Sequence, residues 1–441
     1  MIRKIFIAAA VLAAGLQPAG AQRRAWTLQQ CIDYALEHNI SVRQSGLGVE
    51  QKEVDLNTAV SRRLPGLSAS ASENLSFGRG LTADNTYSNA NTTSTSFSLG
   101  ADLPIFQGFD ISNGIKLARL DLQSATLALE RAKDDVRVAV AQAYIQILYN
   151  KEILQVALEQ VARDSIQTER IKAMEATGKL SASEVAAQQA SLEQTRLSSV
   201  QARNNLNMAL LDLSQLLELE SPEGFDVVAP PEYALEPGLL MSPEAVYEQA
   251  VAVKPAILSG ELAVEQAKIS VDRAKGAGLP SLSLSGGIGT NFYTNSLGQS
   301  ASFGSQLEKN FSQYVGLSLR VPIFQRFSVR NNVKNAKLSL MNQELQLEST
   351  RKSLYKEIQQ AYYNAVASQA KCVSSLAAAQ SAEQAFILTR EKYDNGKANV
   401  TEYNDSRARY LEAQSNYLQS RYEAVYQAKL LDFYRGAGIA F

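Results

Sequence analysis

The chain has one histidine, His38, and two cysteines, Cys31 and Cys372, in 441 residues. One imidazole excludes a histidine-based zinc cluster, and it leaves a serine nucleophile without the positioned base that such chemistry needs. Two cysteines at opposite ends of the sequence supply no framework of disulfides, and both read as single buried thiols. Neither sign of charge is in excess, with 43 basic against 44 acidic residues, so the electrostatic footprint of a nucleic-acid-binding protein is missing. There is no phosphate-cradling glycine loop, metal-ligand spacing or nucleophile–base set, so neither an enzyme nor a cofactor or metal is expected. Beyond the N-terminal segment no run of about 18 apolar residues could serve as a membrane-spanning helix.

The N-terminal segment itself, MIRKIFIAAAVLAAGLQPAGA over residues 1–21, has a basic start at Arg3 and Lys4, an apolar stretch, and small residues at Ala19 and Ala21. That is the composition of a cleavable secretory signal, with the mature chain starting near Gln22. No cysteine follows the cleavage site to carry a lipid. Export without an inner-membrane anchor leaves the periplasm, the outer membrane or the exterior.

The rest of the chain is written twice. LPIFQGF at 103–109 returns as VPIFQRF at 321–327, displaced by 218 positions. TLQQ from Thr27 is a capping-box pattern, and SPEA from Ser242 is an N-cap serine with proline at the first helical position, so both read as helix starts, 215 apart. Leu64-Pro65 and Leu279-Pro280, again 215 apart, end those helices and open an alternation of apolar and small polar residues. After a loop rich in Asn, Ser, Thr and Gly, TSTSFSLGADLPIF and FSQYVGLSLRVPIF alternate again. Each is expected to end at its proline, which cannot donate to a sheet ladder, and to turn there into a helix.

Behind each corner the period changes. Val136, Val140, Tyr144 and Leu148 recur as Leu354, Ile358, Tyr362 and Val366, four apart along one helical stripe. Between Asn113 and Glu175 there is no proline, which allows a helix of roughly 90 Å at 1.5 Å per residue. The narrow apolar stripe on a polar background points to coiled-coil partners. TGKLSASE at 177–184 and NGKANVTE at 395–402 stop the two long helices. Gly178 and Gly396 suit left-handed C-terminal caps, and Ser181 with Glu184 and Asn399 with Glu402 open the returning helices, which run to about Leu217 and Leu431. The domain reading is a first repeat over 22–219, an extended linker over 220–240 containing APPEYALEP, and a second repeat over 241–441.

Four strands of some ten residues have the length to cross an outer membrane when tilted, but spanning barrels need about eight or more. Open edges in lipid are prohibitive. Other copies of the chain must complete the barrel, and three would give twelve strands. Phe77, Phe292 and Tyr293 at one end, and Phe106, Phe109, Phe324 and Phe327 at the other, are open to two readings: interfacial girdles or ordinary buried aromatics.

Taken in order, the helix start over Thr27–Asn39, Leu64-Pro65, the doubled Pro-Ile-Phe corner, the two glycine tips and the duplication resemble the TolC-type outer-membrane efflux proteins over almost the whole mature chain. The resemblance implies an α+β membrane protein: a trimeric 12-stranded barrel in outer-membrane lipid, with four strands per chain, continuing into a long α-helical periplasmic tunnel. It implies an adaptor and an inner-membrane pump as partners in export of small molecules or polypeptides. The tips, Gly178, Lys179, Leu180 and Ser181 with Gly396, Lys397, Ala398 and Asn399, are then the expected adaptor surface. Pro104, Phe106, Pro322 and Phe324 are the expected membrane-interface corners. Family members narrow the periplasmic entrance with a tyrosine, a glycine and two acidic residues three apart, which fall here on Tyr393, Gly396, Glu402 and Asp405. Ala398 stands where some members carry a basic residue. Glu402 also fits a helix cap, and the gate and cap readings both stand at this stage. The competing function is a non-conducting coiled-coil tether, which explains the helix pairs but not the two pairs of alternating strands.

Overall fold

The computed structural model describes residues 24–81, 85–89, 91–231, 240–296 and 301–439. The secretory signal over 1–21, the start near Gln22 and part of the linker lie outside the described residues. The first repeat comprises β1 (Arg24–Trp26), α1 (Leu28–His38), α2 (Ile40–Ser61), β2 (Gly66–Ser76), a small loop hairpin of β3 (Arg79–Leu81) and β4 (Tyr87–Asn89), β5 (Thr92–Gln107), α3 (Asp110–Ala176) and α4 (Ala182–Leu216). After β6 (Phe225–Val227) the second repeat follows as α5 (Pro243–Val253), α6 (Pro255–Gly276), β7 (Ser281–Asn295), a short loop helix α7 (Phe303–Lys309), β8 (Ser312–Arg320), α8 (Ser328–Asp394) and α9 (Val400–Tyr434). The long helices are both 67 residues and the returning helices both 35, so the duplication holds to the residue. The starts read from sequence are real: Thr27 closes a capping box with Gln30, and Ser242 caps α5 ahead of Pro243.

Contacts divide the chain into two units, each drawn from both repeats. One, residues 47–127 and 259–349, carries a four-stranded antiparallel sheet in the order β2-β5-β7-β8. Its register sorts most of the side chains by polarity, because successive residues of a strand point to opposite faces. One face collects Leu67, Ala69, Ala71 and Leu75 with Phe97, Leu99, Leu103, Leu282, Leu284, Ile288, Val315, Leu317 and Leu319, interrupted by Glu73 and Gln313; the other collects Ser68, Ser70, Ser72, Ser96, Ser98, Ser283, Ser285 and Ser318. Hydroxyl pairs Ser70–Ser98 (2.7 Å) and Ser72–Ser96 (2.8 Å) run along the polar face. Among the described residues most of the apolar face is uncovered, with Leu67 72% exposed and Val315 83%, and α7 packs on one end of it, where Phe303 meets Phe292 at 5.0 Å. Tyr293, adjacent to Phe292, takes the polar face and so leaves the expected girdle.

The first corner departs from the sequence reading. β5 runs past Pro104 to Gln107 through a register shift between Pro104 and Phe106. A bulge lets a central strand absorb a residue without an N–H, whereas the edge strand β8 stops at Arg320, ahead of Pro322. Both corners then use two consecutive left-handed residues, Gly108 and Phe109 (φ 58° and 65°), and Arg326 and Phe327 (φ 51° and 61°). Each packs its phenylalanines edge to face, Phe106–Phe109 at 5.1 Å and Phe324–Phe327 at 5.5 Å. At the first corner Asp110 accepts from Arg273 (2.7 Å) and Arg62 (3.3 Å).

The other unit, residues 24–46, 128–258 and 350–439 among those described, is helical. Its main core joins Val140, Tyr144, Ile147 and Leu148 of α3 to Leu28, Cys31, Ile32 and Ala35 of α1 and to Leu213 and Leu217. Burial pushes the Cys31 thiol up to about 12, as expected of an inert packing residue. Part of the expected linker is instead a strand: β6 pairs in parallel with β1, and the Tyr144 hydroxyl donates to carbonyls of Trp26 and Val228. Along α8 the buried residues are Leu354, Ile358, Ala361, Ala365, Ser368, Cys372 and Ala379. They recur in alternating steps of four and three, the 3.5-residue coiled-coil repeat. Tyr362 and Val366 therefore drift off the seam that the steps of four implied.

Candidate functional site: the hairpin tips

Both hairpins of the helical unit turn on one local device. At the end of α3 the Gly178 N–H donates to the Glu175 carbonyl (2.7 Å) and the Lys179 N–H to that of Met174 (3.0 Å). At the end of α8 the Gly396 N–H donates to Tyr393 (3.0 Å) and the Lys397 N–H to Lys392 (2.8 Å). These bonds satisfy terminal carbonyls and need a left-handed residue, which Gly178 (φ 76°) and Gly396 (φ 67°) supply. Three residues after each glycine, Ser181 closes a full capping box with Glu184, while Asn399 accepts from the Glu402 N–H at 2.8 Å. Gly178, Lys179, Ser181, Gly396, Lys397 and Asn399 are exposed, and Leu180 and Ala398 are half-buried.

Glu402 and Asp405 come together as their spacing implied. Both are exposed on α9 and line one cleft with Thr389, Asn399, Ser406 and Arg409. Among the described residues, no hydrogen bond or ion pair holds either carboxylate, so the cap uses the Glu402 backbone and leaves its side chain free. Tyr393 does not line that cleft. Its ring lies 5.0 Å from that of Tyr403, its hydroxyl bonds Gln167, and burial raises its pKa.

A second cluster near the tips had no distinguishing mark in the sequence. Asp164 of α3 is 1% exposed and pairs with Arg407 of α9, itself 8% exposed. Arg407 also donates to the Ser191 hydroxyl (2.6 Å), and Asp164 further accepts from Thr195 (2.6 Å) and Gln160 (2.9 Å). The amide of fully buried Gln188 has no partner among the described residues. The buried pair fastens α9 to the α3–α4 hairpin. An exposed pair, Arg170–Asp394 at 2.6 Å, joins α3 to the end of α8.

The sequence profile described as outer membrane efflux protein matches residues 31–218 and 246–437, one match to each repeat. The chain belongs to that family. As an outer membrane efflux protein it is a channel component of the outer membrane, and the family's members are transport channels. It is 26% identical to Protein CyaE of Bordetella pertussis, with 92% of this chain and 81% of the relative aligned. It is 25% identical to outer membrane protein TolC of Escherichia coli, over 90% and 80% of the two chains. Its fold matches that of CusC with a TM-score of 0.78 at 19% identity, covering 96% of both chains. The Campylobacter jejuni CmeC outer membrane channel matches with a TM-score of 0.77 at 20% identity, over 93% and 86%.

Proposed function

We propose that three copies of this chain close a twelve-stranded barrel in the outer membrane and export small molecules or polypeptides, working with an adaptor that docks on the hairpin tips and an inner-membrane pump. The observation that carries this reading is the two-faced sheet. An apolar wall against a wall of serines is what lipid outside and water inside require of a barrel strand. From Leu282 to Phe292 the apolar face of β7 extends about 33 Å along the strand at ~3.3 Å per residue. Tilted by about 40°, that spans ~25 Å, the height of an outer-membrane apolar band. A soluble tether has no use for such a face.

The two faces give a direct test. Leu284→Arg puts a guanidinium against lipid and is expected to cost about 2–4 kcal/mol near the membrane midplane. Ser283→Arg, the next residue, points into water and should leave stability almost unchanged. Denaturant unfolding of the protein in bilayers measures both, and equal costs would exclude a lipid-facing side.

The free carboxylates of Glu402 and Asp405 support a gate. Three copies place two acidic rings at the periplasmic entrance, which favours cations. Glu402→Gln with Asp405→Asn should weaken cation preference and block by divalent ions in planar-bilayer recordings. The Asn399 cap bond to the Glu402 N–H survives that change, so stability should hold. Selectivity and block equal to the parent channel would remove both residues from the pore.

A further inference from the structure

Among the described strands, the sheet leaves β2 and β8 each with one unpaired edge, and the duplication dictates how a second copy meets them. In the first repeat Gly66 faces Asp102; in the second, Ser281 faces Arg320. From Gly66 to Ser281 is 215 positions and from Asp102 to Arg320 is 218, the same displacements that separate the Leu-Pro and Pro-Ile-Phe signals. The two hairpins therefore repeat without a slip.

The remaining pairing, β5 with β7, joins the return strand of one repeat to the leading strand of the next, with Gly100 facing Gly287, Ala101 facing Gly286 and Leu99 facing Ile288. The return strand of the second repeat is β8, and the next leading strand is β2 of another copy. Advancing Gly100 by 218 reaches Ser318, and moving Gly287 back by 215 reaches Ser72. We infer that β8 of one copy pairs antiparallel with β2 of a second copy in one register, Ser318 opposite Ser72, Leu319 opposite Ala71 and Val315 opposite Leu75.

Side-chain chemistry supports this register. It sets Ser318 against Ser72 on the polar face and Leu319 against Ala71 and Val315 against Leu75 on the other, with Leu317 against Glu73 as the one mismatched pair of that face, whereas a one-residue slip would exchange the faces along the whole seam. The corner contact does not carry over. Gly108 and Gly276 map to Arg326 and Ser61, whose Cβ atoms forbid the same backbone approach, so the strands and not the corners set the seam.

The inference rests on the closed-barrel reading, and cross-linking separates the two. Ser72→Cys with Ser318→Cys should give disulfide-linked dimers and trimers on mild oxidation of outer membranes, resolved by non-reducing electrophoresis. Ser70→Cys or Asn74→Cys with Ser318→Cys, each two residues out of register on the same face, should give several-fold less. Native Cys31 and Cys372 are buried and stay out of the reaction. Stronger linkage in a slipped pair would overturn the register and leave the barrel standing. Membrane-inserted, protease-resistant protein that forms no covalent oligomer with any pair would overturn both.

Discussion

Replacing Asp164 with alanine is expected to cost about 3–5 kcal/mol, the usual penalty for leaving a buried charge without its partner. Arg407 is 8% exposed, and once the carboxylate is gone its guanidinium keeps the Ser191 hydroxyl at 2.6 Å and the Tyr403 ring at 6.0 Å but no countercharge among the described residues. Gln160 loses its acceptor as well, and Thr195 keeps only the Ser191 carbonyl. Asp164→Asn should cost less, since its amide oxygen still accepts. Asp164→Leu with Arg407→Met should recover most of the loss, because two charges that are expensive to desolvate are removed together. The midpoints of denaturant unfolding for the three variants separate these cases. If the alanine variant loses no more than about 1 kcal/mol, the range of an exposed ion pair, the pair is not buried in the assembled protein. The pair also fastens α9 close to its first two turns, which carry Glu402 and Asp405. Weakening it should therefore increase proteolysis at the Gly396 tip before the rest of the helical unit opens.

Much of this architecture was legible because its signals are local. Caps, Leu-Pro stops and glycine tips act within a few residues, and the duplication offers each signal twice. The elements that were missed depend on distant partners. β1 and β6 are three residues each and exist because they pair across the length of a repeat. The loop hairpin β3–β4 and the helix α7 sit in segments whose Asn, Ser, Thr and Gly composition reads as loop. Pro104 looked like a strand end because proline lacks a donor, yet a strand paired on both sides carries it in a bulge. At the candidate site the acidic pair was found because three-residue spacing fixes a shared helix face. Asp164 and Arg407 were not, since a charged residue on a long polar helix looks alike whether it faces water or a neighbouring hairpin.

Alanine at Gly276 is expected to be severely destabilising although the residue lies in a helix, where glycine to alanine ordinarily gains about 0.5–1 kcal/mol. A Cβ there would run into the carbonyl oxygen of Gly108, and one at Gly108 would run into that of Gly276 and lie 3.3 Å from the Leu279 Cβ. The two backbones touch where the end of α6 crosses the first corner, and backbone cannot swing aside as a flexible side chain can. The only relief is to part α6 from the corner, which pulls Arg273 away from Asp110. Overpacking of this kind costs about 1–3 kcal/mol, and Gly108→Ala adds roughly 1–2 kcal/mol for holding an L-residue at a left-handed φ. Gly114→Ala is the control. That glycine is also helical, its nearest new neighbour would be the Arg62 side chain at 3.9 Å, and the change should stabilise. Arg326→Gly, at the matching left-handed position of the second corner (φ 51°), should likewise gain about 1 kcal/mol by removing the Cβ penalty. Thermal melting of the four purified variants gives the signs directly: down for Gly276→Ala and furthest for Gly108→Ala, up for Gly114→Ala and Arg326→Gly. A Gly276→Ala protein as stable as its parent would mean that α6 does not cross the corner at backbone contact.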